Sequence, residues 1–139
     1  MHFMRPTIFD LSKEAQEHDK DTATRLIGKK LFQGLQEEDK CYLLHKVVDF
    51  YLRNDLASEE LHRKYSHIKK VREAFTTLKM SISKCDVQEM KKVDHKLEEL
   101  EREVRKLGKN REAKVVGELY MLFQDIGKYC SKPRTGKKD

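Results

Sequence analysis

Apolar residues recur at helical spacing through two long stretches of the chain. In each stretch they step alternately by three and four positions, which places them on one face of a helix. The first series is Ile68, Val71, Phe75, Leu78, Ile82 and Cys85, and the second is Met90, Val93, Leu97, Leu100, Val104 and Leu107. Each series is shorter than three heptads, so a compact bundle is favoured over an extended coiled coil.

Two further stretches carry the same kind of stripe. One begins at Cys41 and continues through Leu44, Val48 and Tyr51; the other comprises Val115, Val116, Leu119, Leu122, Phe123, Ile126 and Cys130. Residues 5–18 predict a shorter helix with Pro6 in its first turn, where a proline is well tolerated. No strand pattern of useful length appears. The sequence therefore predicts an all-α bundle.

The segments between these helices carry recognisable stop and start signals. Gly108 follows Lys106 just past the end of a predicted helix, which is a common C-terminal stop. Asn54 and Ser58 are candidate caps in the break at 53–60. Residues 19–36 have mixed polarity and no sustained period, so they predict a long ordered loop. Four apolar residues are expected to anchor it: Leu26, Ile27, Leu31 and Phe32.

The length and the distribution of charge favour a single domain with a basic end. A chain of 139 residues suits one domain, which we assign to residues 1–130. The formal net charge is +6, and half of it lies in residues 131–139, which we interpret as a disordered, solvated tail. Acidic and basic residues are interleaved elsewhere, whereas a nucleic-acid-binding protein usually concentrates its basic residues on one face.

The start of the chain and its cysteines do not decide whether the protein is intracellular or secreted. No apolar run approaches the roughly 20 residues of a membrane span, so membrane insertion is not expected. The first residues lack the apolar core of a signal peptide, which indicates either an intracellular protein or a mature form. Cys41, Cys85 and Cys130 are compatible with one disulfide and one free thiol, or with three reduced thiols.

The motifs of catalysis and cofactor binding are missing from the sequence. It contains no nucleophile elbow, no phosphate-binding loop and no H-E-x-x-H pair, so we expect neither an enzyme nor a cofactor. Cys41 and His45 share a helix face, but zinc needs three or four ligands and no second pair matches, so no metal site is expected. One hypothesis is then an intracellular basic helical scaffold or nucleic-acid-binding protein.

Four segments taken together support a different hypothesis. They are "RLIGKKLFQG" (25–34), "CYLLHKVVDFYL" (41–52), "ISKC" (82–85) and "KLGKNREAKVVGELYMLFQDIGKYC" (106–130). In this order and spacing they resemble the interleukin-10 cytokine family over most of the chain. The resemblance implies a secreted cytokine, an interleukin-10-like bundle of about six helices, and no catalytic site.

The same resemblance implies specific partners. Cytokines of this family bind two different class II receptor chains and thereby start JAK–STAT signalling; for this chain the resemblance implies a ligand-specific chain together with the shared interleukin-10 receptor beta chain. The resemblance further implies epithelial target cells and capture by a soluble decoy receptor. The short turn at 106–114 is similar to that of relatives that do not swap helices, so we expect a monomer.

The resemblance also assigns roles to the three cysteines. Cys41 and Cys130 match the family positions for a disulfide, which would close a loop of about 90 residues. In the chain-entropy model, such a closure stabilises the fold by about 4–5 kcal/mol. Cys85 matches half of a second bridge whose partner would lie in an N-terminal extension. No cysteine precedes Cys41 here, so two alternatives stay open: the extension has been removed, or the protein lacks the second bridge and Cys85 is unpaired.

A receptor-binding surface follows by matching residues to the family. The surface for the ligand-specific chain combines the loop after the first helix with the last helix. The matching residues are Thr22, Arg25, Lys114, Gly117, Glu118, Met121 and Gln124. Two alternatives stay open: Arg25 could pair with Glu118 to hold the loop, and Met121 could belong to the core. We expect Gly117 to lie at the edge of the stripe, where a missing side chain admits a partner.

Overall fold

This computed structural model describes residues 4–21, 23–82 and 87–130, and within them it contains eight α-helices, two short 3-10 helices between them, and no strand. The helices are α1 (Arg5–Gln16), α2 (Lys29–Phe32), α3 (Glu37–Arg53), α4 (Glu59–Lys64), α5 (Ile68–Ser81), α6 (Met90–Lys106), α7 (Arg111–Gly117) and α8 (Leu119–Cys130). The predicted all-α bundle is confirmed. Three predictions fall outside the described residues: Thr22, Cys85 and the basic tail at 131–139.

The core is built around α3, which packs against α5, α6 and α8. Its residues Leu43, Leu44 and Val47 have no exposed surface. Within the two predicted stripes, the central residues are buried: Val71, Phe75, Val93, Leu100 and Val104. Met90 is partly exposed because it lies at the first position of α6. Within the described residues, no helix combines the length and the apolar content that crossing a membrane requires.

Residues 19–21 and 23–36 run over the bundle and are anchored by apolar side chains. Leu26, Ile27, Leu31 and Phe32 are all buried, as predicted. The single helical turn of α2 lies within this segment and was not indicated by the sequence pattern. Burying four apolar side chains offsets the entropy lost when a long connection is ordered.

The predicted stop and start signals act much as expected. Gly108 adopts a positive φ of 57° after α6, a conformation that favours glycine. The Ser58 hydroxyl accepts a hydrogen bond from the Leu61 N–H and so caps α4. Asn54 differs from a helix N-cap: its side-chain amide donates to the Phe50 carbonyl at 2.8 Å and closes the end of α3.

A disulfide between Cys41 and Cys130 joins the first turns of α3 to the end of α8. This pairing confirms the one that the family resemblance implied. It links residues 89 positions apart, so it restricts the unfolded chain strongly. Because the Cys41 sulfur is used in this bond, it is not available as a metal-binding thiolate beside His45.

Candidate functional site

The described residues of the α1–α2 loop, 19–21 and 23–28, lie against α7 and the first turn of α8. We call this contact the loop–helix junction. Unlike the core around α3, it combines the buried apolar side chains of Leu26 and Ile27 with a set of charged and polar contacts. Most of the residues that the family resemblance assigned to receptor binding lie in or beside it.

Lys114 of α7 holds the first half of the loop. Its side chain is only 3% exposed, although it carries a charge. Its ammonium group donates to the carbonyl oxygens of Asp21 and Thr24, the latter at 2.6 Å. The same group pairs with the Asp19 carboxylate at 2.8 Å. A buried ammonium needs such a set of acceptors, because removal from water is otherwise very costly.

Asn110, in the turn before α7, completes this set of contacts. Its side-chain amide donates to Asp19 Oδ1 at 2.7 Å, and its side-chain oxygen accepts from the Lys20 N–H at 2.9 Å. Partial burial would raise the pKa of Asp19, but the hydrogen bonds from Lys114 and Asn110 outweigh it and hold that pKa below its ordinary value. Asp19 is therefore charged at neutral pH and matches the charge of Lys114.

Asp21 organises the middle of the loop as a local turn. Its carboxylate accepts from the N–H groups of Ala23 and Thr24, each at 3.1 Å, and from the Thr24 hydroxyl at 2.6 Å. The bonds from Thr24 lower the pKa of Asp21 below its ordinary value. This is a typical use of an aspartate in a turn, where the side chain replaces missing backbone partners.

Glu118 holds the second half of the loop. Its two carboxylate oxygens accept separate hydrogen bonds from the backbone N–H groups of Leu26 and Ile27, at 3.1 and 2.7 Å. The side chain is 7% exposed, and this burial raises the pKa of Glu118 above its ordinary value, against the opposing effect of the two N–H donors. Lys114 and Glu118, one helical turn apart, thus fix adjacent parts of the loop.

Three predicted receptor-binding residues reach the surface beside the junction. Arg25 is exposed, and its guanidinium lies 3.5 Å from the Met121 sulfur. Met121 is half-buried and Gln124, on the next turn of α8, is exposed. Of the two alternatives left open, pairing of Arg25 with Glu118 is wrong, because Glu118 receives the loop N–H groups and Arg25 extends over Met121. Met121 only borders the core.

The expectation that Gly117 is open to a partner is wrong. Gly117 is buried, and a Cβ atom there would come within 3.1 Å of the Gln16 Cγ atom. The Gln16 side-chain amide donates to the Gly117 carbonyl at 2.8 Å. The missing side chain therefore admits α1 of the same molecule. Lys114, Gly117 and Glu118 are buried beneath the surface that Arg25, Met121 and Gln124 form.

Sequence reasoning missed three residues that build the junction, Asp19, Asp21 and Asn110, and Gln16 of α1, which contacts Gly117 beside it. One signal was available, since Lys114 and Glu118 stand four positions apart among the apolar residues of the last stripe. Two opposite charges at this spacing inside a buried face require partners elsewhere. The identity of those partners depends on contacts between distant segments and leaves no local pattern.

Comparison with known proteins identifies close relatives. A family model described as "Interleukin 22 IL-10-related T-cell-derived-inducible factor" matches residues 1–130. The chain is 32% identical to interleukin-22b of Mus musculus over 134 residues, which cover 93% of the chain and 74% of that protein. Interleukin-22 of Homo sapiens is similar to the same degree, with 32% identity over the same shares of both chains.

Proposed function

The chain belongs to the interleukin-22 family of interleukin-10-like cytokines, and on this premise we propose that it is secreted and signals through two class II cytokine receptor chains. This membership confirms the family resemblance that the four segments indicated. It makes the protein a cytokine, with cytokine receptors as partners, and not an enzyme. It also favours receptor binding over the hypothesis of an intracellular scaffold or nucleic-acid-binding protein.

The first receptor chain is proposed to be a ligand-specific chain of the interleukin-22 receptor alpha type, bound at the loop–helix junction. The second is the shared interleukin-10 receptor beta chain, bound at a separate surface. Bringing the two chains together starts JAK–STAT signalling, with defence at epithelial barriers as the outcome. A soluble decoy receptor competes for the ligand-specific surface.

The observation that carries this proposal is an exposed Arg25 on a loop whose backbone is already fixed. Lys114 and Glu118 hold the loop on both sides of Arg25 through hydrogen bonds to backbone atoms. A loop fixed before binding loses less conformational entropy when a partner binds. Arginine is also common among the residues that dominate binding energy, and an adjacent methionine adapts its shape to a partner.

The seven predicted residues divide into two groups by exposure. Arg25, Met121 and Gln124 are proposed to contact the receptor directly. Lys114, Gly117 and Glu118 are proposed to act from beneath, by fixing the loop and the helix that present those contacts. Thr22 belongs to the same loop and stays a predicted contact.

We further propose a monomer. The turn Gly108–Asn110 joins α6 to α7, and these two helices contact each other within one chain. Because the turn is short, the neighbouring helices pack without exchange between molecules.

Surface plasmon resonance against the ectodomain of a ligand-specific receptor chain tests the proposal. Arg25→Ala is expected to weaken binding at least about tenfold, since truncating a central arginine removes a major contact. The control is Arg72→Ala, which removes an exposed arginine from α5. Circular dichroism should show unchanged helix content in both variants.

Two results would contradict the proposal. If the wild-type protein binds none of the class II receptor ectodomains, the assignment of receptor partners of this kind is wrong. If Arg25→Ala binds as tightly as Arg72→Ala, receptor binding takes place at another surface.

A further inference from the structure

The last helix of the bundle is interrupted where the side chain of Ser12 contacts it. In an unbroken helix the Tyr120 N–H would donate to the Val116 carbonyl, four residues earlier. Here the Tyr120 N–H donates to the Ser12 hydroxyl oxygen at 2.9 Å, and that hydroxyl donates to the Val116 carbonyl at 3.0 Å. The hydroxyl therefore stands between the two groups. Insertion of a side chain into the helical hydrogen bonds is a recognised cause of a kink.

A second residue of α1 supports the same break. Gln16 lies one helical turn after Ser12, and its side-chain amide donates to the Gly117 carbonyl at 2.8 Å. In an unbroken helix that carbonyl would accept from the Met121 N–H. A side chain at position 117 would press against Gln16, so the glycine allows α1 to approach this closely. Two residues on one face of α1 thus bind two consecutive carbonyls at the end of α7.

The break separates Glu118 from the helix that carries Lys114 and so affects where Glu118 points. Lys114 belongs to the last turn of α7, and Glu118 is the residue at the break, between Gly117 and Leu119. The backbone at Glu118 has left helical geometry, with φ −102° and ψ 6°. The direction of its carboxylate toward Leu26 and Ile27 therefore depends on the geometry of the break.

We infer that Ser12 and Gln16 are positioning residues for the α1–α2 loop, and through it for the surface that carries Arg25. The hydroxyl of Ser12 keeps α7 and α8 from joining into one straight helix. Without it, the Val116 carbonyl and the Tyr120 N–H bond directly to each other, and Glu118 turns away from the loop. The part of this inference that concerns receptor affinity rests on the proposed function, whereas the part that concerns the loop does not.

Amide hydrogen exchange measured by NMR tests the effect on the loop directly. In Ser12→Ala, the Leu26 and Ile27 amides are expected to exchange about tenfold faster than in the wild type, because they lose the Glu118 carboxylate. Ser58→Ala is the matched control: it removes the hydroxyl that caps α4, away from the junction. In that control, the exchange of Leu26 and Ile27 should keep its wild-type rate relative to the amides of α3.

Receptor affinity provides the second measurement. Ser12→Ala is expected to weaken binding to the ligand-specific ectodomain by about tenfold, and Ser58→Ala to leave it unchanged. If the wild type binds no receptor ectodomain, the proposed function fails, and the exchange rates alone then decide whether Ser12 positions the loop.

Gln16→Ala keeps the inference testable if Ser12→Ala does not fold. Gln16 is exposed, so its truncation is compatible with folding, and a smaller acceleration of Leu26 and Ile27 exchange is expected. The inference is overturned if these two amides keep their wild-type rates in the folded variants. It is also overturned if Ser12→Ala accelerates the amides of α3 by the same factor, since that result indicates a general loss of stability.

Discussion

The centre of α3 and the two charged helix residues of the loop–helix junction are almost equally buried, but different chemistry holds them. Leu43, Leu44 and Val47 are inaccessible to solvent and contact other apolar side chains. Lys114 and Glu118 are 3% and 7% exposed, and each charge is matched by specific backbone or carboxylate atoms. The first region stabilises the bundle, whereas the second fixes one loop in one position.

The difference shows why a recognition surface can benefit from costly interactions. Apolar side chains are stabilised by burial in many different arrangements, because the hydrophobic effect has no preferred direction. Apolar packing therefore tolerates small shifts between helices. A buried charge tolerates no such shift, because losing a partner leaves an unsatisfied group in a medium of low polarity. The junction therefore contributes less stability per buried residue than the core, but it restricts the loop that presents Arg25 more tightly.

Removal of the disulfide should cause the largest loss of stability. The bridge joins α3 to α8, so this variant tests the core and not the junction. The double variant Cys41→Ala with Cys130→Ala is expected to lower the free energy of unfolding by about 4 kcal/mol, because the unfolded chain regains its freedom. Urea denaturation measures this loss. Receptor affinity of the folded protein should be unchanged; a large loss of affinity would show that the junction depends on the bridge.

Asp19→Asn, in the junction, should cause the next largest loss of stability. It removes the negative charge beside the buried Lys114 ammonium and is expected to cost about 3 kcal/mol in the free energy of unfolding. Urea denaturation again provides the measurement. The double variant Asp19→Asn with Lys114→Met should recover most of the loss, since no unpaired charge then stays buried. A double variant no more stable than Asp19→Asn would contradict this account.

Glu118→Gln should have a smaller effect on stability but a clear effect on the loop. The glutamine oxygen can accept one of the two loop N–H groups, while its own NH₂ group faces the other. The expected loss is about 1–2 kcal/mol in the free energy of unfolding, together with weaker receptor binding. Thermal unfolding and surface plasmon resonance measure the two quantities. Unchanged receptor affinity would show that Glu118 does not influence the proposed receptor surface.

Comparison of the wild type with Glu118→Gln also tests how stability depends on pH. Burial raises the pKa of Glu118 above its ordinary value of 4.5, so the folded protein holds this proton more tightly than the unfolded chain does. The contribution of Glu118 to stability is therefore fully present below pH 4.5 and falls as pH rises through the raised pKa. Urea denaturation at several pH values should show the wild type losing stability relative to Glu118→Gln over this range. The opposite slope would contradict the assignment.

Glu103→Gln should have the smallest effect, because it lies on the solvated face of α6. Its pair with Lys106 has an N–O distance of 3.7 Å, and both side chains are more than half exposed. Such pairs contribute below about 0.5 kcal/mol. Urea denaturation should therefore give nearly the wild-type free energy of unfolding. A loss of stability comparable with that of Asp19→Asn would show that surface and junction charges do not differ in this way.

The two regions also differ in how far the sequence predicts them. The stripes containing Val71 and Val93, and the anchors Leu26 and Ile27, were predicted because helical periodicity and apolarity are local signals. The break between Gly117 and Leu119 was not, because it depends on Ser12, which lies 104 positions from Val116. No local pattern records a contact of that kind.

The predicted receptor-binding residues illustrate the same limit. Family resemblance indicated Arg25 and Glu118 as members of one surface, and charge alone suggested that they form a pair. The Glu118 carboxylate instead accepts from the backbone of Leu26 and Ile27. Backbone donors are present at almost every position, so sequence does not reveal which of them a buried carboxylate will meet.

The proposed receptor surface requires a loop that is already fixed in the free cytokine. Amide hydrogen exchange of the wild type, with and without the ligand-specific receptor ectodomain, tests it most directly. We predict that Leu26 and Ile27 exchange slowly in the free protein, at rates comparable with those of amides in α3, and that the receptor slows exchange further in the loop around Arg25. The claim is contradicted if both amides exchange freely until the receptor is added.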